Sequence, residues 1–149
     1  MTETPTILRA TTPEQRAACL AIREAVFVLE QNVPPEMEWD EHDATALHFL
    51  ALRGERPLAT ARVVFKDGGR TAKIGRVAVL AEARGSGLGA ALMRAVEADP
   101  ALRRVERCVL EAQLHALPFY EKLGYAASGA VFLDAGIPHR FMEKPLPRP

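Results

Sequence analysis

An arginine and three glycines stand together in the segment Arg84-Gly85-Ser86-Gly87-Leu88-Gly89, where an apolar stripe with helical spacing begins. A helix that begins near Gly87 has unpaired backbone N–H groups in its first turn, and its dipole places partial positive charge there. Glycines let a phosphate approach the backbone, and Arg84 adds a fixed charge with paired donors. The segment therefore predicts a diphosphate site. The simpler structural interpretation is a tight turn that needs only glycine dihedrals.

Two known phosphate motifs fit this segment less well. The Walker loop is excluded because no Gly-Lys-Ser/Thr follows. The dinucleotide motif is closer, since Gly85, Gly87 and Ala90 satisfy its loose form and Glu111 lies about twenty residues further on. That motif normally follows the first strand of a larger parallel sheet. Only sixty residues remain after Gly89, so a second βαβ half would not fit comfortably.

The elements that must position this segment form a mixed sheet. The predicted strands are Ile7–Ala10, Ala46–Leu52, Leu58–Phe65, Thr71–Val79, Arg107–Ala112, Ala126–Phe132 and His139–Lys144. Short connections, including Asp67-Gly68-Gly69, indicate an antiparallel meander, and the glycine loop with its helix indicates a crossover between parallel strands. We therefore expect one α/β domain over residues 1–149, with a partly antiparallel sheet of about six or seven strands flanked by helices. Residues 145–149 are expected to be a disordered tail.

Two further helices are predicted beside the one that follows the glycine loop. Thr12-Pro13-Glu14-Gln15 has the residues of a capping box with proline in the first turn, and this helix should end before Pro34-Pro35. Its apolar stripe comprises Ala18, Ile22, Ala25, Val26 and Leu29. A short helix over Ala116–Lys122 should be stopped by Gly124.

Composition excludes several classes of function. The formal net charge of zero gives no global reason to expect nucleic acid or an anionic membrane as partner. No apolar run approaches the ~20 residues that a spanning helix needs, and the N-terminus lacks a signal pattern. Cys19 and Cys108 have no metal or redox spacing and are expected to be buried thiols. We expect a cytoplasmic protein without a metal, and a homodimer stays open.

Charge is nonetheless uneven along the chain. Seven acids and no Lys or Arg lie between Glu24 and Leu52, whereas twelve bases and six acids lie between Arg53 and Arg107. In one interpretation both segments are solvated surfaces whose opposite charges cancel. In the other, the acidic segment attracts a cation and the basic segment binds an anion. In the second interpretation the acid-rich residues 30–43 attract a cationic amine. Asp40-Glu41-His42-Asp43 predicts a solvated loop, because no His pair at zinc spacing accompanies it.

Two stretches of the chain resemble the GNAT superfamily of N-acetyltransferases. The core signature of that superfamily is Arg or Gln, two residues, Gly, any residue, then Gly or Ala. The residues that meet it are Arg84, Gly87 and Gly89. Residues 113–125 resemble the second signature, and the matching residues are Ala116, Tyr120 and Gly124. Three more stretches resemble the ElaA-type subgroup, namely residues 23–34, 73–79 and 136–139, so the resemblance spans nearly the whole chain.

The resemblance implies direct transfer of an acetyl group from acetyl-CoA to a small-molecule or peptide amine in a ternary complex. The diphosphate would lie on the backbone N–H groups of the glycine loop, and the pantetheine arm would pair with the preceding strand. The implied cofactor-binding residues are Val77, Ala78, Val79, Arg84, Gly85, Ser86, Gly87, Leu88, Gly89 and Gln113, the last in place of the usual Asn.

For catalysis, the resemblance implies Tyr120 as the general acid that protonates the departing thiolate. The base that deprotonates the amine is open between Glu111, His115 and Glu30, acting directly or through water. It is open because Arg76 stands where many GNATs carry a glutamate before the Val-x-Val of the strand.

Two other functions compete with this one. The first is a non-catalytic CoA-sensing or protein-interaction module on the same fold, since a fold does not fix a function. The second is a small dinucleotide-binding protein, because the loose glycine motif is present.

Overall fold

The computed structural model describes residues 4–147, which form a seven-stranded sheet with helices on both faces. The strands are β1 (Thr6–Arg9), β2 (Leu47–Arg53), β3 (Arg56–Lys66), β4 (Thr71–Val79), β5 (Arg107–Gln113), β6 (Ala126–Asp134) and β7 (Ile137–Pro145). The helices are α1 (Pro13–Arg23), α2 (Pro35–Glu38), α3 (Leu88–Ala98) and α4 (Leu117–Lys122). The strand order is β1-β2-β3-β4-β5-β7-β6. The predicted α/β class and strand number are confirmed.

Helix α1 begins as the sequence predicts, because Thr12 and Gln15 form a reciprocal capping box. The Gln15 N–H donates to Thr12 Oγ1, and the Thr12 N–H donates to Gln15 Oε1. These two bonds satisfy N–H groups that no helical carbonyl can reach.

The helical segment that begins with α1 ends before Pro34, as predicted, but its second half is not a regular α-helix. Residues Glu24–Glu30, here called the π segment, form a π-helix, and the N–H of Gln31 donates to the Val26 carbonyl five residues back. This wider turn brings pairs of residues four and five apart onto one side. Four residues of this region line a cleft that borders β4, namely Val26, Phe27, Glu30 and Gln31.

The helices lie on opposite faces of the sheet, as the alternation along β2 shows. Phe49 belongs to the large core cluster under α3, whereas its neighbour Leu50 packs with Ile22 of α1. Successive strand residues point to opposite faces, so the sheet separates two hydrophobic layers. The α3 side chains in the larger layer are Leu88, Leu92, Met93 and Val96. Both predicted buried thiols, Cys19 and Cys108, are confirmed.

Strands β2, β3 and β4 form the predicted antiparallel meander, and β1 pairs antiparallel with β2 at the edge. Helix α3 then crosses to β5, which pairs with β4 in parallel. This parallel pairing covers only Thr71–Lys73 of β4 and residues 107–109 of β5. Beyond Lys73 the two strands separate. Within residues 4–147 no other strand pairs with that edge of β4, so its backbone faces a gap.

The C-terminal hairpin β6–β7 closes the sheet beside β5. The predicted tail of residues 145–149 is wrong at its start. Pro145 is the last residue of β7, and the Leu146 N–H donates to the Glu106 carbonyl. Residues 148 and 149 lie outside the described part of the chain. No helix among the described residues is long and apolar enough to cross a membrane.

Candidate active site

The gap between β4 and β5 is part of a cleft of about 1340 Å³. It is lined by both separated strands, the loop before α3, the start of α4 and the π segment. All but one of the residues predicted for catalysis or cofactor binding line it. They are Glu30, Val77, Ala78, Val79, Arg84, Gly85, Gly87, Leu88, Gly89, Glu111, Gln113, His115 and Tyr120.

The exception is Ser86, whose side chain does not line the cleft. Its hydroxyl donates to the Ala83 carbonyl and accepts a hydrogen bond from Arg53 Nη2 at 3.2 Å. The side chain of Ser86 therefore stabilises the loop from behind, and only its backbone is left for the role predicted from the sequence.

The glycines of the loop serve two different purposes. Gly85 and Gly87 have φ of +76° and +85°, a left-handed conformation that favours glycine. Gly87 is the N-cap of α3 and supplies no side-chain hydrogen bond, so the first-turn N–H groups keep their capacity to bind an anion. Gly89 instead permits close packing, because a Cβ there would lie 3.2 Å from the ring of Phe119.

Arg84 does not extend an unpaired charge into the cleft. Its Nη1 and Nη2 donate to the two carboxylate oxygens of Glu30 at 2.6 and 2.7 Å, and its Nε donates to the Val79 carbonyl at 3.0 Å. The hydrogen bonds from Arg84 lower the pKa of Glu30. Glu30 is thus an ionised partner of Arg84, which weakens the prediction that Glu30 is the general base.

The free edge of β4 presents its backbone to the cleft. The Leu80 N–H donates to the Leu58 carbonyl, so the polar groups of Leu80 face β3. Polar groups alternate in direction along an antiparallel strand, so those of Val79 face the gap and those of Ala78 face β3. The Val79 carbonyl already accepts from Arg84, whereas its N–H is turned to the cleft.

Tyr120 stands on α4 with its ring held by two aromatic neighbours. Its ring makes edge-to-face contacts with Phe119 and Tyr125, with centroid distances of 4.9 and 6.0 Å. The hydrogen bonds among residues 4–147 do not include its hydroxyl, although the residue lines the cleft. Burial raises the pKa of Tyr120 well above its usual range, so the phenol keeps its proton.

The other two base candidates differ in how their basic atoms are paired. Glu111 accepts a hydrogen bond from Lys73 Nζ at 3.0 Å. Gln113 Nε2 donates to Gln31 Oε1 at 2.8 Å, which leaves Gln113 Oε1 as acceptor for His115 Nε2 at 2.7 Å. An amide oxygen only accepts, so Nε2 of the neutral His115 ring carries the proton and Nδ1 carries the lone pair.

The acid-rich stretch forms one wall of the cleft, and three of its acids are paired with arginines. Residues 34–44, which we call the acceptor wall after the role that we propose for it, carry the exposed acids Glu36 and Glu41 and the paired acids Glu38, Asp40 and Asp43. The partners of the paired acids are Arg23, Arg62 and Arg76, at N–O distances of 2.7 to 3.2 Å. These three paired acids form an ionic network rather than a solvated face. The exposed Glu36 and Glu41 lie outside this network, and attraction of a cationic amine by the stretch stays a prediction.

This network shifts the pKa values of its acids in opposite directions. Burial raises the pKa of Glu38, and a hydrogen bond from Arg23 opposes the rise. Burial alone would also raise the pKa of Asp43, but hydrogen bonds from Arg23, the Asp40 backbone and Arg62, together with the charge of Arg23, hold it well below its usual range. Asp43 is consequently ionised throughout the neutral range.

Two residues that line the site belong to no single motif, because they act through contacts between distant parts of the chain. Gln31 was predicted neither for catalysis nor for binding, although it pairs with Gln113 across the cleft. Arg76 departs from the family pattern of a glutamate at this position, and it contacts the acceptor wall. Both residues fall in stretches that resemble the ElaA-type subgroup, which is the signal that could have identified them.

Comparisons with known proteins agree with this geometry. A family model described as "Acetyltransferase (GNAT) domain" matches residues 8–146. The uncharacterized N-acetyltransferase YjcF of Bacillus subtilis (strain 168) is 42% identical over 132 residues, which are 88% of this chain and 93% of YjcF. Protein ElaA of Escherichia coli (strain K12) is 33% identical over 136 residues, 84% of each chain.

Solved structures match over nearly the whole length. The crystal structure of Escherichia coli ElaA gives a TM-score of 0.81 at 31% identity, covering 97% of this chain and 99% of that one. The crystal structure of an acyl-CoA N-acyltransferase from Pseudomonas aeruginosa gives 0.80 at 33% identity, covering 95% and 99%. The dinucleotide-binding alternative is thereby set aside. The chain belongs to the GNAT acetyltransferase family, in its ElaA-like group, and is an acyl-CoA-dependent N-acyltransferase.

Proposed function

We propose that the protein transfers an acetyl group from acetyl-CoA to a primary amine of a small molecule or peptide, by direct attack in a ternary complex. The separation of β4 from β5 after Lys73 carries this proposal. It leaves a strand edge without a partner strand between the uncapped start of α3 and Tyr120, and both line one cleft. An extended ligand with an anionic end fits such an edge by strand addition.

The cofactor end of the cleft would bind through backbone groups. The first-turn N–H groups of α3 would donate to the oxygens of the diphosphate, since Gly87 leaves them uncapped. The N–H of Val79 would donate to the pantetheine arm. Val77, one of the two bulge residues of β4, lines the cleft beside it. A backbone N–H of this strand would also stabilise the oxyanion that develops during acyl transfer.

The chemistry needs one acid and one base. Tyr120 would protonate the departing thiolate, because its phenol is protonated, buried and without another hydrogen-bond partner among the described residues. His115 is the base that we propose, through Nδ1. Within residues 4–147 its rivals Glu30 and Glu111 are both engaged in ion pairs, whereas the hydrogen bond of His115 uses Nε2. Holding amine and thioester in one cleft supplies the proximity contribution.

Two experiments test this function. Calorimetry with acetyl-CoA, CoA and NAD should give heat with the first two ligands and none with NAD. Thiol release from acetyl-CoA should then be followed across a panel of small amines, peptides with free N-termini and lysine-containing peptides. Absence of heat with every CoA ester would contradict the cofactor assignment. Binding without thiol release on any amine would instead favour the non-catalytic CoA-sensing module. The cytoplasmic location and the lack of nucleic-acid and membrane partners stay predictions.

A further inference from the structure

Arg76 occupies a bulge in β4, at the point where the strand borders the cleft. Gly75 pairs with Arg62 and Ala78 pairs with Thr60, so two residues of β4, Arg76 and Val77, face a single residue of β3. Arg76 has a φ of +50°, which is uncommon for a residue other than glycine. Bulges bend a strand and re-aim side chains, and this one changes the direction of Arg76.

The contacts of Arg76 show what the bulge achieves. In a regular strand Arg76 would point away from the side on which Arg62 lies, because neighbours alternate. Both guanidinium groups instead reach one carboxylate: Arg62 Nη1 donates to Asp40 Oδ1 at 2.7 Å, and Arg76 Nη2 donates to Asp40 Oδ2 at 3.2 Å.

Arg76 also binds the backbone of the acceptor wall. Its Nε and Nη2 donate to the Glu38 carbonyl at 3.2 and 3.1 Å, and Arg23 Nη2 donates to the same oxygen at 2.9 Å. Glu38 is the last residue of α2, a helix of four residues. The final carbonyls of a helix lack partners within the helix, and a single turn is not stable by itself. Two arginines from other elements therefore fix this turn.

The two arginines differ in position. The side chain of Arg23 is 1% exposed and lies inside the network, whereas that of Arg76 is 23% exposed and lines the cleft. Glu38, Asp40 and Arg76 all line the cleft, so the contact joins the edge of β4 to the wall on the inner surface of the site.

We propose that Arg76 is a positioning residue for the amine acceptor. It joins the bulge of β4 to the acceptor wall, so that the wall keeps a fixed distance from the strand on which the acyl group would lie. This inference rests on the proposed function, in which β4 binds the acyl donor. This role differs from cofactor binding. Among residues 4–147, the hydrogen bonds of Arg76 go to Met37, Glu38 and Asp40, and none goes to the glycine loop.

Arg76→Gly is the informative variant, because glycine adopts a positive φ without strain and so keeps the bulge while it removes the side chain. The control is Arg56→Ala, which removes an exposed ion pair with Glu82. Hydrogen exchange of the free protein, followed by mass spectrometry, should show amides of residues 35–44 exchanging about tenfold faster in Arg76→Gly, and unchanged in Arg56→Ala. Exchange in α3 should stay the same in both variants.

Kinetics supplies the second measurement. With an amine that the panel identifies, Arg76→Gly should raise the KM for that amine about tenfold and leave the acetyl-CoA KM within about twofold. Arg76→Lys, which keeps the charge, should recover part of the amine KM. Unchanged exchange of residues 35–44 would overturn the proposal, and so would an equal rise in both KM values. If neither the unaltered protein nor any variant bound acetyl-CoA, the proposed function would fail. The exchange measurement would still decide whether Arg76 fixes the position of residues 35–44.

Discussion

The two ends of the cleft, for which we propose binding of the cofactor and of the acceptor, are built in different ways. The cofactor end is made of backbone from one continuous stretch: the loop at Gly85 and Gly87, followed by the first turn of α3. The acceptor end is made of side chains from distant places, since Arg23 reaches Glu38 fifteen residues away and Arg76 reaches the same residue thirty-eight away. A site made of local backbone leaves a motif in the sequence, whereas a wall made of distant ion pairs does not.

The difference also has energetic consequences. Backbone N–H groups at a helix start are present whatever side chains surround them, so the cofactor end depends on conformation. The acceptor wall depends on charge balance. Buried charges are tolerated when they are paired and hydrogen-bonded, and one missing partner leaves the others unsatisfied.

The largest effect is therefore expected at the centre of the ionic network. Arg23→Ala removes donors at 2.9 Å from Glu38 Oε1 and 2.7 Å from Asp43 Oδ1. Removing one partner of a buried ion pair typically destabilises a protein by about 3–5 kcal/mol. Urea denaturation should show a loss of that size. Arg56→Ala, on an exposed pair with Glu82, should change the free energy of unfolding by less than about 1 kcal/mol. Equal effects of the two variants would mean that the network does not stabilise the wall.

The second effect tests the backbone end. Gly87→Ala places a Cβ where φ is +85°, and the left-handed conformation costs a residue with a side chain about 1–2 kcal/mol. Relief of that strain would turn the first-turn N–H groups, so calorimetry should show the Kd for acetyl-CoA rising about tenfold.

Gly69→Ala is a matched control for this variant. Gly69 has a φ of +89° in the β3–β4 hairpin, and neither position has an atom within 4 Å of the added Cβ. Both variants should lose similar stability in urea, but only Gly87→Ala should bind acetyl-CoA more weakly. A weaker Kd in both would attribute the loss to general destabilisation rather than to the helix start.

The sequence predicts the parts built from local backbone better than the parts built from contacts between distant residues. The strand β4 and the start of α3 could be predicted, because periodicity and glycine spacing are local signals. The place of Tyr120 in the cleft was implied by the family resemblance of residues 113–125. The π segment could not. Its apolar stripe has ordinary helical spacing, yet Leu29 at the end of the stripe is 70% exposed. The chain after the segment folds back on it, since the Val33 N–H donates to the Phe27 carbonyl, and the spacing of apolar residues does not indicate this hydrogen bond.

The charged residues show more clearly what cannot be predicted from the sequence. Counting residues gives an acidic and a basic segment, and both interpretations of that count assume charges that face outward. In the structure Asp40 pairs with Arg62 and Arg76 from the basic segment. Pairing over such separations depends on the register of β3 and β4, which includes a bulge. No local pattern states that register.

An effect of similar size, on kcat rather than on binding, is expected for the proposed general acid. A thiol with a pKa near ~8.5 departs readily, so protonation by Tyr120 assists it only modestly. Tyr120→Phe should lower kcat about tenfold and leave the acetyl-CoA KM nearly unchanged. Tyr125→Phe is the control, because its hydroxyl donates to Glu97 Oε2 at 2.7 Å and the residue does not line the cleft. An unchanged kcat in Tyr120→Phe would remove the proposed role.

The smallest effect is expected where the two ends of the cleft meet, at the ion pair of Glu30 with Arg84. Hydrogen bonds from Arg84 lower the pKa of Glu30, so Glu30 is ionised in the folded protein above its ordinary pKa and takes up a proton only below it. The stabilisation by this pair is therefore present at neutral pH and lost in acid. Because Glu30 does not titrate near neutral pH, any fall of kcat/KM between about pH 8 and 6 belongs to another group.

Glu30→Gln should accordingly leave kcat within about twofold and keep the shape of its pH profile. It removes a negative charge beside the proposed diphosphate site, so the Kd for acetyl-CoA should fall about twofold at low salt, and less at high salt because exposed charges are screened. Glu24→Gln makes the same change of net charge on a residue that does not line the cleft and should leave the Kd unaltered. A hundredfold loss of kcat in Glu30→Gln alone would restore Glu30 as the general base. In that case the acid-rich stretch would supply the catalytic base as well as one wall of the cleft. The base would then be paired with Arg84, a residue of the loop proposed to bind the cofactor.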